Sequence, residues 1–287
     1  MKLFKKIILG SAILLVITII VYFAYFNQIQ DIGPKNIESS KNTELIEWNS
    51  KELFAVFVDP KDIATINGQK IPMKGTFQLK PELTDTYADI GVYDKKTKPL
   101  FIIPLFTASA YSKNGFYDFY NGNCYNCLTT KIRTVDELAE QSSANAVKVL
   151  ELLGYDSITD IELDKNPDIL SKYDKVIVLH NEYVTKNMFD AITSHPNVIY
   201  LYPNALYAEI STNYQDGTIS LIRGHGYPES EIANGFDWEF DNTKQYESDK
   251  KCDNWKFYDI SNGKMLNCYP EQKIWKDEKF LKALKEL

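Results

Sequence analysis

Arginine is almost missing from this 287-residue chain. Only Arg133 and Arg223 supply a guanidinium, so bidentate recognition of phosphate or carboxylate has two places to occur. Basic residues are also outnumbered: 32 Lys and Arg stand against 39 Asp and Glu, a net charge of -7. That is the wrong sign for neutralising a phosphate backbone, and nucleic-acid partners are excluded on this ground. Glycine (13) and proline (11) are too few for a collagen-like or low-complexity chain, and no internal repeat calls for a solenoid. Four cysteines are too few for a disulfide-held miniature fold. What is present is a 44% hydrophobic chain with 19 tyrosines, long enough to bury one large core or two modest ones.

The longest uncharged apolar run is Ile7 to Phe26, preceded by Lys2, Lys5 and Lys6. At about 1.5 Å per residue such a run matches a hydrocarbon core, and its bulky end at Tyr25 and Phe26 is unlike a signal-cleavage site. The cationic flank predicts a single-pass membrane anchor, residues 1–26, with a cytoplasmic N-terminus and an extracytoplasmic body. Residues 27–43, with Gly33, Pro34, Ser39 and Ser40, read as a tether.

In an oxidising compartment the cysteines are expected to pair. Cys252 and Cys268 flank the turn signal Asn262-Gly263 and are expected to staple a C-terminal excursion. Cys124 and Cys127 lie in an Asn/Gly-rich loop rather than at a helix start after a strand, where a redox-active pair would sit. Four-thiolate zinc usually needs two short knuckles, and the second pair is too widely spaced for one.

The body divides at about residue 100. Residues 44–99 carry short alternating runs such as Phe54 to Val58 and Gly75 to Leu79, a β-rich lead-in. Residues 100–287 alternate apolar runs (Leu100 to Phe106, Ile158 to Leu163, Lys175 to Leu179, Val198 to Tyr202) with helical patterns. One helix is expected from the capping box at Thr134 and Glu137 to just before Gly154, and a second from Lys186 to Thr193 capped by Thr185. A terminal helix is read over Lys273 to Leu287, where Leu281, Leu284 and Leu287 recur at helical spacing. The expected class is α/β, a mainly parallel sheet flanked by helices.

In such sheets ligands gather beyond the carboxyl ends of the strands. After the run ending at Leu179 come His180, Asn181, Glu182 and Tyr183. After the next come Tyr202, Asn204 and Tyr207. A strand expected at Ile219 to Ile222 is followed by Arg223, Gly224, His225 and, later, Glu229.

The runs Tyr173 to Thr185 and Val198 to Tyr207, with His180-Asn181-Glu182-Tyr183 and Asn204-Ala205-Leu206-Tyr207, resemble the large (beta) subunit domain of N,N-dimethylformamidase; Phe106 to Tyr120 is loosely similar to the start of the same domain. The resemblance implies a fold related to class I glutamine amidotransferases and hydrolysis of small amides at a single iron held by two tyrosines and a glutamate. It implicates Tyr183 and Tyr207 as ligands, with Glu239 as the preferred carboxylate and Glu229 or Glu182 as alternatives. His180, Glu182, Arg223 and His225 are the candidates for moving protons and placing substrate. No cysteine stands after the central strand, so a thiol nucleophile is excluded there. The expected function is therefore a metal-dependent hydrolase of a small C–N compound. A catalytically inactive cell-surface module binding a ligand or partner is the alternative.

Overall fold

The computed structural model describes residues 44–287 except 67, 73, 95, 241 and 242. The expected anchor and tether lie outside the described residues. Among the described residues no helix is long and apolar enough to cross a membrane. The longest of the described helices, such as Ala144–Leu152, have 9 residues against the roughly 20 that a span needs. The expectation of a membrane-spanning helix is therefore not met among the described residues.

Leu45–Leu287 forms one compact unit. At its centre is a six-stranded sheet, ordered Phe257–Ile260, Gly263–Leu266, Val198–Tyr200, Lys175–Val178, Pro99–Ile103, Asp156–Thr159. The last five are mutually parallel, and the Phe257–Ile260 edge strand is antiparallel. Pro99–Ile103 and Lys175–Val178 are buried throughout, which is why both, Lys175 aside, read as apolar runs. Their side chains alternate between two cores. Phe101, Ile103, Ile177 and Ile199 join one cluster, with Val147 and Leu150 of helix Ala144–Leu152 and Leu281 and Leu284 of helix Glu278–Glu286. Leu100, Ile102, Val176, Val178 and Val198 join the other, with Met188 and Ile192 of helix Lys186–Ser194. Each such side chain stabilises the fold by about 1.5–3 kcal/mol when buried, so a two-faced sheet is the dominant stabilising element.

The expectation of one mainly parallel sheet is corrected by the rest of the molecule. Among the described residues three further sheets are antiparallel or mixed. Ile46–Asn49, Ala55–Val58 and Thr76–Gln78 form an antiparallel triplet, and Ile63–Ile66 pairs antiparallel with Gln69–Pro72. A four-stranded sheet joins Tyr183–Val184, Ala208–Asn213, Thr218–Arg223 and Thr129–Lys131, with only the first pair parallel. These strands are two to six residues long and, apart from the buried pair Tyr183–Val184, half-exposed, so they carry no continuous apolar run, and their pairing depends on turns such as the one through Gly217.

Local boundaries differ as well. The capping box at Thr134 and Glu137 is present, but it opens a single 3-10 turn, Val135–Glu137. Leu138 is extended and Ser143 is left-handed (φ 57°), so the α-helix starts only at Ala144. The runs expected to extend to Phe106 and Leu163 instead turn into helices Leu105–Ala110 and Asp160–Lys165. Thr185 caps Lys186–Ser194 as expected, accepting from Met188 N at 3.3 Å. Cys252 and Cys268 are disulfide-bonded, as are Cys124 and Cys127.

Candidate functional site

The chain places Pro99–Ile103 and Lys175–Val178 side by side, and from them builds outward in opposite directions along the sheet. A crevice forms at the carboxyl ends of strands where the order reverses in this way. Pro99–Ile103 leads into helix Leu105–Ala110, capped by Tyr111; a second short helix, Phe116–Tyr120, follows at once and carries Tyr117 and Tyr120. This tight return depends on Gly115, where a Cβ would lie 2.3 Å from Ala110 O. Lys175–Val178 leads into Leu179, His180, Asn181 and Glu182.

The His180–Glu182 backbone is fixed from three sides. His180 N donates to Ser143 Oγ (2.9 Å), and Glu182 N donates to Thr107 Oγ1 (3.0 Å). From the turn after Val198–Tyr200, Leu206 N donates to Asn181 O, and Tyr207 N and Ala208 N both donate to Glu182 O, each at 2.9 Å. Rigid backbone of this kind is what a preorganised site requires.

Glu182 is fully buried at the centre of an aromatic cluster. Tyr117 donates to its Oε1 at 3.2 Å, and the Tyr111 and Tyr183 phenols are close enough to favour its charged form. The Tyr111 and Tyr117 hydroxyls are 2.5 Å apart and their rings stack at 3.8 Å. His180 Nε2 lies 3.9 Å from Oε2, and His225 Nε2 lies 3.7 Å from Oε1 and 3.3 Å from the Tyr117 hydroxyl. Burial pushes the Glu182 carboxyl up to about 8, against the phenol hydrogen bonds that favour its charged form. Burial, and then the Glu182 charge, raise Tyr111 and Tyr117 well above the ordinary phenol range.

His180 has a defined tautomer. Its Nδ1 is 2.6 Å from Gln141 O, and a carbonyl can only accept, so Nδ1 carries the proton. Burial lowers this ring to about 4, so it is neutral at pH 7 and Nε2 presents a lone pair. That atom is buried without a hydrogen-bond partner. His225 covers the cluster, its ring stacked on Tyr120 at 4.2 Å and 30% of its side chain exposed. It follows strand Thr218–Arg223 in a left-handed turn (φ 59°), entered through Gly224 at φ 114°, a conformation that favours glycine.

The structure thus gathers His180, Glu182, Tyr183 and His225 of the sequence-derived candidates. Tyr207 is buried, with its ring 5.6 Å from that of His225. Glu239 and Glu229 are exposed. Arg223 bridges to Asp237 at 2.8 Å and donates to Gly235 O at 2.6 Å, tying down its own loop. Tyr111, Tyr117 and Tyr120 had not been singled out. They lie more than sixty positions before Glu182, and the available signal was their density between Phe106 and Tyr120.

Among the described residues no three of His, Cys, Asp and Glu converge as a metal-binding group. Phenols and one carboxylate do converge. Tyr111, Tyr117 and Glu182 bring three hard oxygen donors together, linked through the Tyr117 hydroxyl at 2.5 and 3.2 Å, and Glu182 makes no ion pair with Lys or Arg among the described residues. That donor set fits a hard cation such as ferric iron, whose charge would offset the buried carboxylate and favour ionised phenols.

No curated protein matches the chain. A family model described as N,N-dimethylformamidase beta subunit-like, C-terminal, matches residues 13–262, which include every member of the Glu182 cluster. A match over most of the length places the chain in the N,N-dimethylformamidase beta subunit-like, C-terminal family.

Proposed function

We propose that this protein hydrolyses a small amide at the Glu182 cluster. The observation that carries the reading is the unpartnered lone pair of His180 Nε2, 3.9 Å from a carboxylate ringed by Tyr111, Tyr117 and Tyr183. A neutral, buried base beside a buried carboxyl is an arrangement that acid–base catalysis uses and a structural core does not need.

Tyr111, Tyr117 and Glu182 would hold the iron that family membership suggests. When bound, such an ion supplies Lewis acidity toward an amide carbonyl or a water. His180 Nε2 takes a proton from water as its oxygen attacks the carbonyl carbon. The same proton then passes to the departing nitrogen as the C–N bond breaks, giving a carboxylic acid and an amine. Gln141 O holds the imidazole in the tautomer this needs. The rings of Tyr120 and His225 exclude bulk water and restrict the site to small substrates.

The test is amine release from formamide, acetamide and N,N-dimethylformamide by the purified chain, alongside its iron content and visible spectrum. Turnover that His180→Ala and Glu182→Gln both abolish, with tyrosinate colour lost in Tyr117→Phe, supports the reading. A colourless, iron-free protein that turns over none of the three leaves a ligand-binding module instead.

A further inference from the structure

A cavity of about 360 Å³ is lined by none of the residues gathered around Glu182. Its size falls within the range of small-molecule sites, and its composition is of the same kind, with aromatic walls and a few polar groups. Trp48, Phe77 and Trp275 supply the walls; Asn145, Lys148 and Glu271 supply polar atoms. Trp275 Nε1 is a buried donor with no hydrogen-bond partner.

The charges around this cavity are not balanced. Lys74 Nζ donates to Asp136 O and Lys148 Nζ donates to Gly75 O, each at 2.7 Å, and the Lys276 ammonium lies 4.1 Å from the centre of the Trp275 ring. Among the described residues none of the three pairs with a carboxylate, whereas the lining acid Glu140 is already paired with Lys250 at 3.1 Å. The other lining acid, Glu271, is fully buried. It accepts from Asn145 N at 2.7 Å and from the Tyr202 hydroxyl at 2.5 Å. Burial raises it to about 8, so it holds its proton at neutral pH. The rim is therefore cationic over apolar, ring-shaped walls.

We propose that this cavity binds a small organic monoanion with a flat apolar body, of which an aryl carboxylate is the simplest example. The carboxylate meets Lys148 and Lys74, and the ring lies against Trp48 and Trp275.

The experiment is a tryptophan-fluorescence titration at pH 6.5 with benzoate, using benzamide as the uncharged isostere. It is done in the full chain and in Glu182→Gln, so that turnover at the other site is removed. Saturable quenching by benzoate and not by benzamide is expected in both proteins. Lys148→Met should weaken benzoate by about tenfold or more, as expected for one charge-assisted contact, and Lys148→Arg should restore it. Lys74→Met, at an exposed position where folding is not at risk, should weaken it by a smaller factor. Absence of saturation overturns the proposal. So does an equal response to benzamide, or unchanged benzoate affinity in both Lys148→Met and Lys74→Met. Loss of amide turnover with benzoate binding intact removes only the function proposed for Glu182.

Discussion

Glu182 and Glu271 are two fully buried carboxyls, both held near pH 8 by burial, and they differ in what surrounds them. Glu271 is satisfied by the structure. Its oxygens take hydrogen bonds from the backbone of Asn145 and Ala146 at the start of a helix and from the Tyr202 hydroxyl. Glu182 faces phenols that crowd one another at 2.5 Å and an imidazole nitrogen with nothing to bond. A displaced pKa alone does not separate structural from chemical roles. An unpaired base beside the carboxyl does, and only Glu182 of the two has one, at His180 Nε2.

The largest expected effect lies on the Glu182 side. Glu182→Gln should lower amide turnover by about a hundredfold or more, a loss on the scale of removing an acid–base group. Above about pH 8, where the parent carboxyl is ionised in the folded state, its thermal stability should be equal to or higher than that of the parent, because an amide carries no charge to desolvate. Measuring kcat and the melting temperature on the same samples tests both parts, and a stability loss without loss of turnover would reverse the comparison.

Glu271→Gln should act on the pH dependence of stability. Glu271 titrates near 4.5 when unfolded and near 8 when folded. Between those values only the folded state keeps the proton. The stability it contributes is therefore complete below about pH 4.5, falls as pH rises toward 8, and is level above that. Denaturant melts at pH 5, 7 and 9 should show the variant overtaking the parent by on the order of a few kcal/mol at the alkaline end. Turnover at neutral pH should stay within about twofold, since a protonated acid and an amide differ little in charge.

His225→Ala removes a partly exposed ring and should leave the melt nearly unchanged while slowing turnover by about tenfold, because the cluster opens to water. Bulkier amides should gain relative to formamide, which a substrate-size series would reveal. Arg223→Met should do least. An exposed ion pair contributes roughly 0–1 kcal/mol, so a small drop in melting temperature with unchanged kcat is expected. A kcat loss matching that of Glu182→Gln would return Arg223 to the catalytic set.

Much of the frame was readable in order. Lys175–Val178 and Val198–Tyr200 announced themselves because both faces are buried, and Thr185 marked its helix because a capping hydroxyl has one local geometry. Glu182 and His180 were visible as residues after a strand. Their partners were not, because Tyr111 and Tyr117 reach them through strand order, which no local pattern encodes. The helix expected at Thr134 failed for a related reason. Its first turn is locally sound, but Ser143 is claimed by His180 N and turns left-handed, which breaks the helix before it continues. Tertiary demand overrode a correct local signal.

The order of the central strands also bears on how the protein is made. Gly263–Leu266 closes one side of Val198–Tyr200, and Tyr269 and Glu271 pack behind His180 and Tyr202. During synthesis, the loop bearing Glu182 leaves the ribosome well before these residues do. Until they emerge, the nascent chain exposes a hydrophobic strand edge and an unsupported imidazole. This interval is where premature association with other chains would be most damaging.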